Sequence, residues 1–196
     1  MTKTIEEATK GLIDSLKQAC SSHGLGNSGN EYKIIVQVFL YKYFNDKFGY
    51  EAKRARVYGK RLSAAEKWDA EYDTFTEDEV EDLFTYLPAG TPRLKPIHTI
   101  AHLYNTQKQG DFATLFDSTL KDIALLNAGI FSISTGSKTK VSIFDDRLIG
   151  AAIVEDVKRD EFAVALMRHI ADPEANFEPM FSEKYDFFST MFEYLI

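Results

Sequence analysis

His98 and His102 are the residues whose type and spacing come closest to metal chemistry. Four apart on a helix, two imidazoles share a face, the arrangement zinc proteases use. That chemistry also needs a carboxylate base and a third ligand. Position 99 is Thr where the protease motif carries Glu, and no clear third ligand follows. Ordinary histidines, partly buried or at the surface, account for the pair better. Gly24, Gly26 and Gly29 spell G-x-G-x-x-G, and Asp46 follows at roughly the spacing of a ribose contact. Such a loop grips phosphate only when a strand precedes it and the next helix aims its amides at the anion. A helix precedes these glycines, so they read as an interhelical loop. Cys20 closes an apolar helix face and reads as a small core residue rather than a nucleophile. Asp145 and Asp146 are adjacent, so their carboxylates diverge on either element type, and a turn explains them better. No catalytic, cofactor-binding or metal-ligating residue is assigned on these grounds.

The elements that must position these groups are mostly helices. From Asn30 to Phe48, NEYKIIVQVFLYKYFNDKF, apolar and aromatic residues occupy every side of a helix, the signature of a helix buried at a domain centre. The β-branched run Ile34 to Val38 would also suit a buried strand, but about 18 residues without Gly or Pro is the length of a helix. A first helix is expected over Ile5 to Cys20, where apolar residues recur at three and four residue spacing, and the Gly, Ser and Asn rich stretch 21–30 then breaks it. Helix formers dominate from Glu51 to Tyr72, with Gly59 a possible interruption. Thr76 and Glu79 have capping-box spacing ahead of Val80, Leu83, Phe84 and Leu87, and that helix should stop at Pro88.

Prolines 88, 92 and 96 make PAGTPRLKP an extended connection. Helices are then expected over Ile97 to Gln107 and Phe112 to Leu126. Past Gly129 the period changes: Ile130, Phe131 and Ile133 lead through TGSK to Val141, Ile143 and Phe144, which predicts a short β-hairpin packed on helices. Asp160 is the expected N-cap of a helix carrying Phe162, Leu166 and Ile170, with Pro173 beyond its end. Glu183 to Ile196 is amphipathic and ends without a capping glycine or polar tail, a pattern that suits either a docked last helix or a chain cut from a longer protein. The expected fold is mainly α, a single helical bundle-like domain over residues 1–196 with a small β-hairpin near residues 130–144.

With 44% hydrophobic residues in a chain of 196, a substantial core is available. The net charge of -7 argues against a surface that grips nucleic acid everywhere. One cysteine excludes an internal disulfide and a cysteine-built zinc site. There is no signal-peptide pattern and no run of about 18 apolar residues, so a cytoplasmic protein without membrane contact is the expectation. The charge is unevenly spread. From Lys42 to Arg61 there are seven basic and two acidic residues, and from Glu66 to Asp82 nine acidic and one basic. The first segment could face phosphates, with Lys53, Arg54, Arg56, Lys60 and Arg61 as the candidate DNA contacts. The alternative is two solvated helix faces that neutralise each other.

The central helix with its flanks, NEYKIIVQVFLYKYFNDKFGYE, resembles the second helix of the helical N-terminal domain in methylation subunits of bacterial type I restriction-modification systems. GIFSISTGSKTKVSIF resembles the segment after that family's middle helices, and EKYDFFSTMFEYLI the helix leading into its catalytic domain. The three occur in the family's order and span most of the chain, with Pro88 to Gln109 carrying little of the likeness. The resemblance implies a parent enzyme that transfers a methyl group from S-adenosylmethionine to adenine N6 in double-stranded DNA. It also implies a specificity subunit, a second methylation subunit, a restriction subunit and the parent's own C-terminal catalytic domain as partners.

The family's catalytic motif, Asn or Asp followed by Pro-Pro and an aromatic, is absent here, because no two of the five prolines are adjacent. The implied role is therefore that of an N-terminal domain that helps enclose DNA and contacts subunits, with no cofactor site in this chain. The rival expectation is a free-standing helical adaptor that binds protein and has no nucleic-acid role.

Overall fold

The computed structural model describes residues 4–131, 133–134, 140–182 and 193. The expected last helix over Glu183 to Ile196 and the TGSK turn therefore lie outside the described residues.

Helix α1 runs Ile5–Ser22, started by a capping box in which Thr4 and Glu7 satisfy each other's backbone amides. Helix α2, Gly29–Ala52, is the central helix the sequence predicts. Its 24 residues give a rod about 36 Å long, enough to cross a small domain. Aromatic rings leave it in several directions: Phe39 meets Phe177, Tyr41 meets Phe116, Phe44 meets Phe131 and Phe144, and Phe48 meets Tyr72 and Phe84. Helix α7, Phe112–Leu126, and helix α9, Asp156–Ile170, pack on each other, and α9 also packs on α1 and α2. One continuous apolar core results.

Three sequence expectations are corrected. The stretch Glu51 to Tyr72 is not one helix: α2 ends at Ala52, followed by α3, Gly59–Ala64, and α4, Trp68–Tyr72. Gly59 begins α3 rather than interrupting a helix. A Cβ there would stand 2.7 Å from the Lys53 carbonyl oxygen, so glycine lets α3 fold back onto the end of α2. The expected helix Ile97 to Gln107 is divided as well, into a 3-10 turn at Pro96–His98 and helix α6, Ile100–Thr106, whose N-cap is Thr99. Helix α5, Glu77–Tyr86, by contrast begins at the predicted Thr76 and Glu79 capping box.

The β-hairpin near residues 130–144 is the third correction, because it is not supported as an element of the fold. Among the described residues, Ile133–Ser134 and Lys140–Val141 pair antiparallel over two rows. The residues that suggested longer strands have other partners. The amides of Ile130 and Phe131 both return to the Asn127 carbonyl at 2.9 Å, forming a turn at the end of α7. Phe131 and Phe144 lay their rings on Phe44 of α2. Their hydrophobicity serves the helical core.

Long-range polar latches fix the helices in place. Asn127, fully buried at the end of α7, accepts from the Arg93 amide at 2.7 Å and donates to the Arg93 carbonyl at 2.8 Å, clamping the proline-rich connection to the bundle. Asp117 on α7 accepts from the amides of Ile149 and Gly150, each at 2.9 Å, in the first turn of α8, Leu148–Ala152. Burial raises the Asp117 pKa while those amide bonds oppose the rise. No helix among the described residues is long and apolar enough to cross a membrane.

Candidate functional site

Polar residues of α2 line the wall of a cleft of about 800 Å3. The Lys42 ammonium and the Asp46 carboxylate pair at 3.0 Å, with side chains only 9% and 8% exposed. Asp46 also accepts from the Asn45 amide at 3.0 Å and from the Phe177 backbone amide at 3.1 Å. Asn45 turns its oxygen to the Ile100 amide at 2.9 Å, capping α6 from another helix. A buried ion pair is tolerated when its remaining polar capacity is satisfied, and these bonds satisfy most of it. The outer walls are α3 with α4, α6, and the segment after α9 that carries Asp172, Asn176 and Glu178. That segment straps back across α2, where Phe181 packs edge-on against Tyr43 at 5.5 Å.

The five candidate DNA contacts are not alike. Lys53 lines the cleft and is ion-paired with Glu178. Arg61 is held by Glu71 at 2.5 Å, Glu79 at 2.9 Å and the Thr74 hydroxyl at 2.9 Å, and lies over the Phe75 ring. Here the basic and acidic segments do neutralise each other. Arg54, Arg56 and Lys60 remain exposed, and among the described residues no carboxylate pairs with them. Arg54 stacks 3.6 Å over the Tyr50 ring and Arg56 sits 5.8 Å from that of Tyr86, so both guanidinium groups are positioned by aromatic support. Lys42 and Lys47, counted in the basic run by sequence, are engaged with Asp46 and Glu51 on their own helix.

No family model, curated protein or solved structure matches this chain. Its function is read from its own residues.

The other sequence candidates are placed as follows. His98 and His102 do not share a helix face, since Thr99 separates the 3-10 turn from α6. His98 is 3% exposed and accepts the Lys95 amide on Nδ1 at 3.2 Å. Burial lowers its pKa to about 4, and the nearby Asp122 charge opposes that shift. His102 faces Asp73 at 3.1 Å in the cleft wall. No group of three or more metal-ligating side chains occurs among the described residues.

The N-terminus of α2, where a phosphate loop would need free amides, carries a side-chain cap and the Glu31 carboxylate. Glu31 accepts from the Asn27 amide at 2.7 Å, and the Ser28 hydroxyl accepts from the Glu31 amide. Cys20 is buried, and desolvation pushes its thiol up to about 12. Asp145 pairs with Lys33 at 2.7 Å, while Asp146 reaches toward Lys121 at 3.8 Å, so the two carboxylates serve different cations.

Sequence reasoning missed the buried set Gln37, Lys42, Asn45 and Asp46. Its signal was present, as polar residues set among the apolar and aromatic ones in the middle of the central helix, where their positions demand partners.

Proposed function

We propose that this chain is the N-terminal, DNA-enclosing and subunit-contacting domain of a type I methylation subunit. The observation that carries the reading is the trio Arg54, Arg56 and Lys60, exposed cations close together just after α2 and free of carboxylate partners among the described residues. Such cations meet phosphate oxygens when a duplex lies across the turn, and each phosphate neutralised releases counterions. Contacts of this kind position DNA without reading bases. On a chain of net charge -7 the affinity is weak and sensitive to salt. Methyl transfer from S-adenosylmethionine belongs to a catalytic domain of the parent protein, and the specificity, restriction and second methylation subunits are its partners.

The test is anisotropy of a labelled duplex against salt concentration. Arg54→Glu, Arg56→Glu and Lys60→Glu together should lower affinity at least tenfold, and the matched neutral variant should reduce the salt slope by about 3. Unchanged binding of the reversed variant in the full assembly would remove the phosphate role. Calorimetric titration should show no micromolar binding of S-adenosylmethionine to this chain. The reading frame past Ile196 should carry glycine-rich and Asn-Pro-Pro-aromatic motifs, and a stop codon there would favour the free-standing adaptor.

A further inference from the structure

The cleft beside α2 has a charge opposite to that of the Arg54 turn. Its lining carries the carboxylates of Asp46, Glu66, Asp69, Asp73, Asp172 and Glu178 against the three lysines Lys42, Lys53 and Lys67. Two of those lysines are already bound, Lys42 to Asp46 and Lys53 to Glu178. Among the described residues, Asp69 accepts from the Ala70 amide at 2.8 Å and Asp172 from that of Glu174 at 2.9 Å, and neither makes an ion pair with a lysine or arginine. Such bonds do not neutralise a carboxylate, and burial holds the His169 ring near Asp172 toward its neutral form. Trp68 and Tyr104 add aromatic surface, and Tyr104 is 43% exposed. A volume of about 800 Å3 lies within the usual range of ligand pockets.

We infer that this cleft docks a basic peptide segment of a partner protein, placing arginine or lysine side chains between the carboxylates of α4 and of the segment after α9. Carboxylates accept guanidinium groups in a bidentate manner, and tryptophan is the strongest aromatic partner for a cation. Half-buried Ala101 and Ala171 and exposed Pro173 give the methylene stems apolar surface. The amides of Asn105 and Asn176 can donate to peptide carbonyls. A polyamine, which offers donors only, would leave them unmatched. The inference does not depend on the DNA reading, because the cleft repels phosphate.

Trp68 is the single tryptophan, so its emission reports on the cleft directly. The probe is an end-blocked hexa-arginine peptide, with hexaglutamate and spermidine as comparators. A saturable change with hexa-arginine, weakened by salt, is expected. Glu66→Gln, Asp69→Asn and Asp172→Asn together should lower its affinity at least tenfold while keeping the size of each side chain and one of its acceptor oxygens. Glu77→Gln, Asp78→Asn and Glu81→Gln remove the same charge from exposed positions of α5 outside the cleft and should leave affinity within twofold. Should the cleft variant fail to fold, Tyr104→Lys on the exposed face of α6 should weaken binding to a similar extent. Equal losses in both triple variants, or a hexaglutamate response matching that of hexa-arginine, would overturn the site. Spermidine binding as tightly as the peptide would overturn the choice of occupant.

Discussion

The Tyr41 hydroxyl donates to the main-chain carbonyl of His98 at 2.7 Å, and both residues are buried. The bond ties the middle of α2 to the 3-10 turn that precedes α6. Burial raises the phenol's pKa well above its ordinary value, so it stays protonated and keeps donating. Tyr41→Phe retains the edge-on packing against Phe116 and strands the carbonyl. A loss of about 1–3 kcal/mol is expected. Urea unfolding should show a lower midpoint with an unchanged slope.

His98 makes stability depend on pH. Its folded pKa of about 4 lies below the ordinary histidine value of 6.5, so between these values the unfolded chain binds more protons. Stability from this group is complete above pH 6.5 and is lost as pH falls toward 4. The full difference amounts to about 3 kcal/mol. Asp117, whose pKa is raised by burial, works in the opposite direction as its carboxyl protonates. His98→Asn keeps an acceptor for the Lys95 amide and cannot titrate. Its unfolding free energy should fall less than the wild type's across that window; identical slopes would remove His98 as the cause.

Asp160 lies inside α9, four residues past its start at Asp156, and does not cap that helix as the sequence suggests. Its carboxylate accepts from the Ala113 amide at 2.8 Å and caps α7 instead. The residue at the α7 N-cap, Asp111, is left-handed at φ 48° and makes no capping bond of its own. Asp160→Ala should cost about 1–2 kcal/mol. Hydrogen exchange should quicken at Ala113 and its neighbours while the first turn of α9 keeps its rate. Faster exchange in α9 alone would restore the local-cap reading.

Gly49 on α2 lies under the Trp68 indole, where an added Cβ would stand 2.5 Å from a ring carbon. Gly49→Ala gains about 1 kcal/mol of helix propensity. Displacing the ring costs about 1–3 kcal/mol. Net destabilisation with a red shift of tryptophan emission is expected. A more stable variant with unshifted emission would mean that the ring does not hold its place.

Local pattern made much of the helical framework legible. Helix α7 begins and ends where the spacing predicts, the Thr76 and Glu79 box starts α5, and α2 reads as central because no side of it is suited to water. These features repeat every three or four residues, so a short window of sequence contains their cause. The ends of α2 at Ala52 and of the 3-10 turn before Ile100 were harder to read, because long-range partners meet the chain there: Glu178 pairs with Lys53, and Asn45 accepts from the Ile100 amide. Phe131 and Phe144 lie in apolar stretches that read as strands, yet the helical core was the larger apolar surface within reach.

The sequence by itself determined the mainly helical class, the central place of α2 and the crowding of basic residues after it. Tertiary structure decided which charges remain free. Arg61 is consumed by Glu71 and Glu79, Lys53 by Glu178, and Lys42 by Asp46 inside a cleft, while Arg54, Arg56 and Lys60 are left facing outward. The physical reason is range. Helix formation depends on neighbours three or four residues away, but the Lys53 partner lies 125 positions along the chain, and only the packed bundle brings such charges within a few ångströms.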